Sequence, residues 1–491
     1  MSELDVLFVN PNAKKDNYGT LTSEFAGLEP PVWCVIKAGY LRNKGFDVDI
    51  VDAEFENLSP RETAKIINNK NPLLVDIVVM GISPSASSTP KMGAVEETVD
   101  ELYNINPDLN IMLSGLHPSA LPELTLKQKG VSFVCQGEGF RTIHNLIKNM
   151  KSGGSNFKIN GLWYKKDDVL KPNPPMPIIQ NIDVLSFMAW DLLPMDKYRS
   201  HNWHCLHDLD SRTPYAAVYT SFGCPFNCTY CNIHCMYNGK PSIRYRSPER
   251  VVDELKFLYD KYKVKNIKIL DELFVLNENR VIDICNRIIK HGLDLNIWAY
   301  ARVDTVNKKI LNKLKQAGFN WVAYGIEAGS KKARESVNKG NFSKENIENT
   351  IKMTREAGVY VMGNFMFGLP GDSMETMQET LNFAKEVNCE YVNFYSVMAY
   401  PGSKLFEDVE KSGVRLPDTW LGYGQLSKET VPLPNKYLSS EQILAFRDNA
   451  FNSYFTDPKY LSMVEEKFGV DARVHITEMT KVKLKRKILG D

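Results

Sequence analysis

Ser221-Phe222-Gly223-Cys224-Pro225-Phe226-Asn227-Cys228-Thr229-Tyr230-Cys231 decides the reading of this chain. Three and then two residues separate its cysteines, and the stretch directly follows a strand-like run at 216–221. Thiolates are the normal protein ligands of iron–sulfur clusters, and this spacing wraps a loop around three corners of one iron–sulfur cube. The fourth iron is then left without a protein ligand, which suits chemistry at that iron better than electron storage. With nine cysteines in 491 residues, chance gives this spacing roughly 0.003 times per chain. Tetrahedral zinc is the alternative; it needs a fourth ligand, and His234 or Cys235 is at hand.

Working outward, strand patterns recur at 266–270, 296–301, 321–326, 360–367 and 391–398, with helical patterns at 248–261, 277–290, 307–316, 344–357 and 374–387. Six β/α units are two short of a closed eight-fold barrel, so an open, partial (β/α)6 barrel is expected. The strands end in chemistry-bearing or turn-forming residues. These are Asp271-Glu272, Ala301-Arg302-Val303-Asp304, Gly325-Ile326-Glu327-Ala328-Gly329-Ser330, Gly368-Leu369-Pro370-Gly371-Asp372 and Tyr400-Pro401-Gly402-Ser403. A β/α barrel places its site at those ends. Asp271 and Glu272 read equally as a helix start or as substrate contacts.

Upstream, five strand patterns (4–10, 46–52, 76–83, 110–117, 131–136) alternate with helical ones (32–44, 60–70, 92–104, 141–151). Parallel neighbours need crossovers, so this is α/β: a doubly wound, Rossmann-like parallel sheet that binds ligands at its strands' carboxyl ends. The expected units are 1–150, a proline-rich linker over 151–210, the barrel over 211–405 and a helical C-terminal region over 406–491. Length agrees with roughly three domains.

Composition removes other classes. Hydrophobic residues make up 43% and charged residues 24%, enough for a packed core. A net charge of +1 gives no bulk attraction to nucleic acid or anionic membrane. No apolar run nears the roughly 20 residues of a bilayer span, so no transmembrane segment is expected. Met1-Ser2-Glu3-Leu4-Asp5 is no secretory start, so a reducing, cytoplasmic setting is expected, where clustered thiols point to metal before disulfides.

The triplet, with Tyr230 just before its third cysteine, resembles the signature of the radical S-adenosylmethionine (SAM) superfamily, and the strand-end motifs follow in that family's order. The resemblance implies a [4Fe-4S] cluster on Cys224, Cys228 and Cys231, whose open iron chelates SAM and whose reduction cleaves it to a 5′-deoxyadenosyl radical. It also implies an external donor such as flavodoxin or ferredoxin. Tyr230 would support the adenine, Glu327 would accept from the amino group or ribose, and Arg302 would pair with the carboxylate. The alternative for Glu327 and Arg302 is a mutual salt bridge.

Glu29-Pro30-Pro31, 39–48, Leu113-Ser114-Gly115-Leu116-His117-Pro118, Gln136-Gly137-Glu138-Gly139 and Ala189-Trp190-Asp191-Leu192-Leu193-Pro194 together resemble the cobalamin-binding-domain branch of that superfamily. Ser83, Gly115, His117, Gly137, Glu138 and Gly139 are the candidate cobalamin contacts. The Asp-x-His-x-x-Gly motif that ligates cobalt from below is absent, because residues 1–116 hold no histidine. Cobalamin is therefore expected base-off with no protein histidine beneath it; the alternative is a domain that kept its fold without cobalamin. The resemblance implies C-methylation of an unactivated carbon through the 5′-deoxyadenosyl radical and methylcobalamin. Cyclisation, rearrangement or carbon–carbon coupling on the same architecture is the alternative, and a non-catalytic cobalamin or metal sensor is a third. The substrate would be a small molecule: a lipid, isoprenoid, tetrapyrrole or natural product.

Other features read more plainly. His201, His204, Cys205 and His207 are irregularly spaced polar residues, with a second metal site as the minority reading. Cys235 reads as a passenger beside the cluster loop, and Cys34, Cys135, Cys285 and Cys389 as core. Trp420, Tyr423, Phe446, Phe451, Tyr454 and Phe455 read as core of a helical lid rather than a pocket lining. The basic run 481–487 reads as a solvated tail.

Overall fold

The computed structural model describes residues 4–21, 24–167, 169–185, 188–340 and 342–491. β1 (Val6–Asn10), β2 (Val48–Asp52), β3 (Leu74–Val79), β4 (Ile111–Gly115) and β5 (Phe133–Cys135) pair in parallel in the order β2-β1-β3-β4-β5. β1, β3, β4 and β5 are buried throughout, as a sheet covered on both faces requires. The crossovers include Val32–Arg42, Pro60–Lys70, Met92–Ile105 and Phe140–Lys151. At Pro60–Lys70, Ser59 caps Glu62 N and the Glu62 carboxylate returns to Ser59 N, so the start of that helix is local chemistry.

Two departures from the sequence pattern have local causes. β3 stops at Val79 instead of running to Ser83, because serine hydroxyls take over the backbone: Gly81 N donates to Ser88 Oγ (2.9 Å) and Ser83 N to Ser87 Oγ (3.1 Å). The proline-rich connector contains a hairpin, β6 (Leu162–Lys166) and β7 (Val169–Pro172), that extends the sheet antiparallel to seven strands. Pro172 sits on the outermost strand, where a missing N–H breaks no ladder.

The second sheet is the expected open barrel. β8 (Tyr215–Val218) is followed by a short antiparallel pair, β9 (Ser221–Phe222) and β10 (Arg244–Tyr245), and then by β11 (Asn266–Ile269) and β12 (Asn296–Ala301). β13 (Phe319–Glu327), β14 (Tyr360–Phe367) and β15 (Tyr391–Ser396) complete it. β8 and β11–β15 pair in parallel in chain order, with β8 and β15 as open edges. Along β15 packs Ser440–Phe455, whose Arg447 Nε donates to Phe394 O (2.8 Å). Pro458–Phe468 and Val470–Lys481 follow.

One continuous core joins the two sheets. Trp33 of the first stacks on Phe222 of the second (5.4 Å) and donates Nε1 to Tyr219 OH (3.4 Å). The basic run is not simply a solvated tail: Arg486 is 1% exposed, holds Asp448, and donates to Ser427 O and Thr430 Oγ1. Its fork finds more acceptors inside than a tail would offer. Among the described residues no helix is long and apolar enough to cross a membrane.

Candidate functional site

β9 and β10 clamp the cysteine loop at both ends, pairing Phe222 with Arg244 and Ser221 with Tyr245. Behind this clamp Asp271, fully buried, accepts from Thr220 N (2.6 Å), Thr220 Oγ1 (2.5 Å) and Ser221 Oγ (2.6 Å). Neither role expected of Asp271, helix start or substrate contact, is what it does. It bends the chain out of the barrel sheet after β8 so that the loop can begin. Gly223 follows at φ +91°, and a Cβ there would sit 2.3 Å from Ser242 O. The neighbouring Glu272 is half-buried, its two carboxylate oxygens lie inside without a hydrogen-bond partner among the described residues, and desolvation pushes it up to about 8.

Cys224, Cys228 and Cys231 are free and half-buried. Burial raises the Cys224 thiol to about 12 and the Cys231 thiol to about 11, so their thiolates need a nearby positive charge, which iron supplies. Among the described residues no three His, Cys, Asp or Glu side chains converge on one ion position. Of the residues offered as a fourth zinc ligand, Cys235 Sγ bonds Gly402 O (3.2 Å) and His234 Nε2 bonds Phe226 O (2.9 Å), while His234 Nδ1 has no partner among the described residues.

Facing the loop is the end of β13. Its register with β14 slips between Gly325 and Glu327, and Glu327 takes a left-handed φ of 65°. Bulges re-aim side chains, and strained non-glycine backbone gathers at functional sites. The re-aimed Glu327 Oε1 accepts from Tyr230 OH (2.9 Å) and pairs with Lys339 Nζ (2.6 Å), all buried or half-buried. A Cβ on Gly325 would meet Lys339 Nζ at 2.5 Å. The alternative of a Glu327–Arg302 bridge is corrected: Arg302 pairs with Asp304 (2.9 Å), because Lys339 already occupies the carboxylate. The Arg302 guanidinium lies 3.8 Å over the Phe226 ring of the cysteine loop, and its Nη1 is buried without a partner among the described residues. Orphaned Arg302 Nη1, together with Glu327, fits a ligand bearing both a carboxylate and an amino group.

On the sheet side, the loop after β3 reaches the cysteine loop, with Ser85 Oγ 3.6 Å from Cys231 Sγ. Between the two sheets and the C-terminal helices lies a cavity of about 210 Å³. Its N-terminal wall combines small residues (Ser83, Ala86, Ser87) with Tyr18, Leu21 and Phe25. The opposite wall includes Trp298 and Tyr300 of β12 and Asn393 and Tyr395 of β15, alternate residues that share the inner face of their strands. Of the candidate cobalamin contacts, Ser83 lines this cavity; Gly115, His117, Gly137, Glu138 and Gly139 do not. Glu138 instead pairs with Arg244 of β10 (2.5 Å) and accepts from Ile179 N (3.2 Å). Gly137 N donates to Ser119 Oγ (2.9 Å), and Gly139 turns at φ +86° to start Phe140–Lys151. His117 is buried against Trp420 and bonds Thr89 Oγ1 (3.2 Å); burial lowers it to about 3.

The connector residues separate as their spacing suggested. His201 lines the cavity, but its two ring nitrogens face Gly27 N and Glu29; His207 bonds Tyr360 OH; Cys205 Sγ bonds Asn266 Oδ1. Cys34, Cys135, Cys285 and Cys389 are buried. Of the C-terminal aromatics, Tyr454 and Phe455 are core, Trp420 donates to Glu96 Oε1 (2.7 Å), and Phe451 does line the cavity. Lys339 and Ser85 were missed: Lys339 sits in a loop and Ser85 in the four-residue helix Pro84–Ser87, and neither has periodicity or ligand spacing to mark it.

Comparisons with known proteins agree with this architecture. Residues 218–384 match the radical SAM superfamily model, and residues 18–147 match the B12 binding domain model. A relative from Pyrococcus horikoshii, described as an uncharacterized methyltransferase, is 33% identical over 88% of this chain and 89% of its own. The anaerobic magnesium-protoporphyrin IX monomethyl ester cyclase of Rubrivivax gelatinosus is 27% identical over 82% and 70%. The solved radical SAM methyltransferase TsrM from Kitasatospora setae, bound to cobalamin and a [4Fe-4S] cluster, superposes with a TM-score of 0.72 at 16% identity, covering 98% of this chain and 99% of that one. The chain therefore belongs to the radical SAM superfamily, in the branch that carries an N-terminal cobalamin-binding domain.

Proposed function

We propose that this protein is a cobalamin-dependent radical SAM methyltransferase that methylates an unactivated carbon of a small molecule. The observation that carries the reading is the meeting of three elements: the cysteine loop, the bulged Glu327 and the Ser85 loop of the first sheet, beside one cavity. When bound, the cluster and cobalamin supply one-electron cleavage of SAM and the methyl donor. Cys224, Cys228 and Cys231 hold the cluster. Glu327 receives the SAM amino group, Tyr230 OH fixes the Glu327 carboxylate, and Arg302 Nη1 with Lys339 meets the SAM carboxylate. Ser83 and its small neighbours would face the corrin. Gly115, His117, Gly137, Glu138 and Gly139 would shape and brace the loops around it, and with no histidine in residues 1–116 cobalamin would be held base-off without a protein histidine. The aromatic walls keep bulk water out of the cavity. The division into 1–150, 151–210, 211–405 and 406–491, an external flavodoxin or ferredoxin reductant and a cytoplasmic setting belong to the same proposal.

Cyclisation is the second reading, supported by the Rubrivivax gelatinosus relative. Anaerobic protein reconstituted with iron, sulfide and hydroxocobalamin tests both. About four irons and one corrinoid per chain, with 5′-deoxyadenosine lost in Cys224→Ala, Cys228→Ala and Cys231→Ala, are expected. S-adenosylhomocysteine formed alongside marks methyl transfer; its absence during turnover marks cyclisation. Protein that takes up neither iron nor corrinoid under these conditions would sink the proposal.

A further inference from the structure

Arg447 stands at the C-terminal wall of the cavity, 7% exposed, on the helix that packs along β15. Its Nε is taken by Phe394 O (2.8 Å) and its Nη1 by Asp448 Oδ1 (2.8 Å), whereas its Nη2 has no partner among the described residues. Asp448 pairs with it only in part, because Arg486 also grips both Asp448 oxygens, through Nε (2.8 Å) and Nη2 (2.9 Å). Two buried guanidinium groups thus share one carboxylate. Among the described residues no other carboxylate forms an ion pair with Arg447. Two guanidinium groups on one carboxylate leave that carboxylate short of balancing both, and an anionic ligand would complete the balance.

The cavity runs from this cation to Ser83, Ala86 and Ser87, which flank Ser85, whose Oγ lies 3.6 Å from Cys231 Sγ. Between them the walls are aromatic, with Trp203, Trp298, Tyr300 and Phe451 among the lining residues. We infer that Arg447 is the receptor for an anionic group, carboxylate or phosphate, on the molecule that fills this cavity, with an apolar or aromatic body lying towards Tyr300 and Tyr395. The inference rests on the proposed function for what the cavity is for. Two sources carry such a group: the substrate itself and the nucleotide-loop phosphate of cobalamin.

Equilibrium dialysis on cluster- and hydroxocobalamin-loaded protein, with 3-phenylpropionate and its neutral twin 3-phenylpropionamide as probes, tests the site without knowing the substrate. The wild type is expected to bind the acid about tenfold tighter than the amide, the scale of one charge-assisted hydrogen bond. Arg447→Gln is expected to bring the two within about twofold, and Arg447→Lys to keep the preference. The wild-type comparison stands even if Arg447→Gln folds poorly. A parallel arm compares retention of hydroxocobalamin with that of cobinamide, which lacks the nucleotide phosphate. If Arg447→Gln loses the first and keeps the second, the anion site holds and its occupant is the corrinoid phosphate. Equal binding of acid and amide, or binding of neither, with corrinoid retention unchanged in Arg447→Gln, overturns the inference. Iron content and SAM cleavage report on the proposed function separately.

Discussion

At the residue scale, the site depends on a few buried polar groups with opposite assignments. Glu327 and Lys339 form a closed pair with Tyr230 OH attached, so Glu327→Gln removes the charge and leaves Lys339 buried against a neutral amide. Iron content is expected to stay near wild type while the dissociation constant for SAM rises at least about tenfold, read by dialysis on reconstituted protein. Asp52 of β2 behaves differently. Burial raises it to about 6, against the pull of hydrogen bonds from Tyr198 OH (2.7 Å) and Asn10 Nδ2 (2.8 Å). A carboxyl that holds its proton more tightly folded than unfolded costs stability once the unfolded chain ionises. Stability should therefore fall as pH rises from about 4 to about 6, by about 2–3 kcal/mol. Denaturant titrations at the two pH values check this, and Asp52→Asn should flatten the slope. Tyr230, Arg302 and Glu327 were singled out by motif and order, but the partners of Arg302 and Glu327 were not: Lys339 reaches Glu327 only once the chain after β13 turns back, and nothing in 301–304 marks Asp304 over Glu327 as the partner of Arg302.

At the scale of elements, the cysteine loop is a separate piece held by the β9–β10 pair and by Asp271. Gly223→Ala forces a Cβ to 2.3 Å from Ser242 O at a φ of +91°, so the loop entrance must shift. The expected result is loss of most bound iron, with circular dichroism of the rest of the chain unchanged; full iron loading would contradict this account of the clamp. Asp271→Ala leaves Thr220 N, Thr220 Oγ1 and Ser221 Oγ without their acceptor and should cost about 2–4 kcal/mol as well as iron. Most barrel strands were readable to within a residue or two, and β12 and β14 to the residue, since alternation and length mark a buried strand directly. The β6–β7 hairpin was not. Its strands are short, half exposed and flanked by prolines, so what makes them strands is the edge of β5 that they pair with.

At the scale of the whole molecule, the two sheets share one core and are pinned by Glu138–Arg244, Glu29–Lys268 and the Trp33 stack on Phe222. Such an interface resembles a domain interior rather than a hinge, so both sheets should melt in one calorimetric transition. Arg244→Ala strands Glu138 in the interior and should lower stability by about 3–5 kcal/mol, and with it corrinoid retention, which bound corrinoid after gel filtration measures. Separate transitions for the two sheets in the wild type would contradict the shared core.

The sequence by itself determined the order of α/β units, the open six-stranded barrel and the branch of the superfamily, and it singled out the three cysteines proposed to hold the cluster. Those follow from periodicity and from ligand spacing, which are properties of neighbours along the chain. Only the tertiary structure decided that Glu138 serves as an interdomain brace and not a cavity wall, that Asp271 bends a strand, and that Lys339 meets Glu327. It also decided that Arg447 lines the cavity while sharing its carboxylate with Arg486. Each of those depends on burial and on contacts across 12 to more than 100 residues, and no local pattern encodes the dielectric or the partner that a side chain finds once the chain has closed.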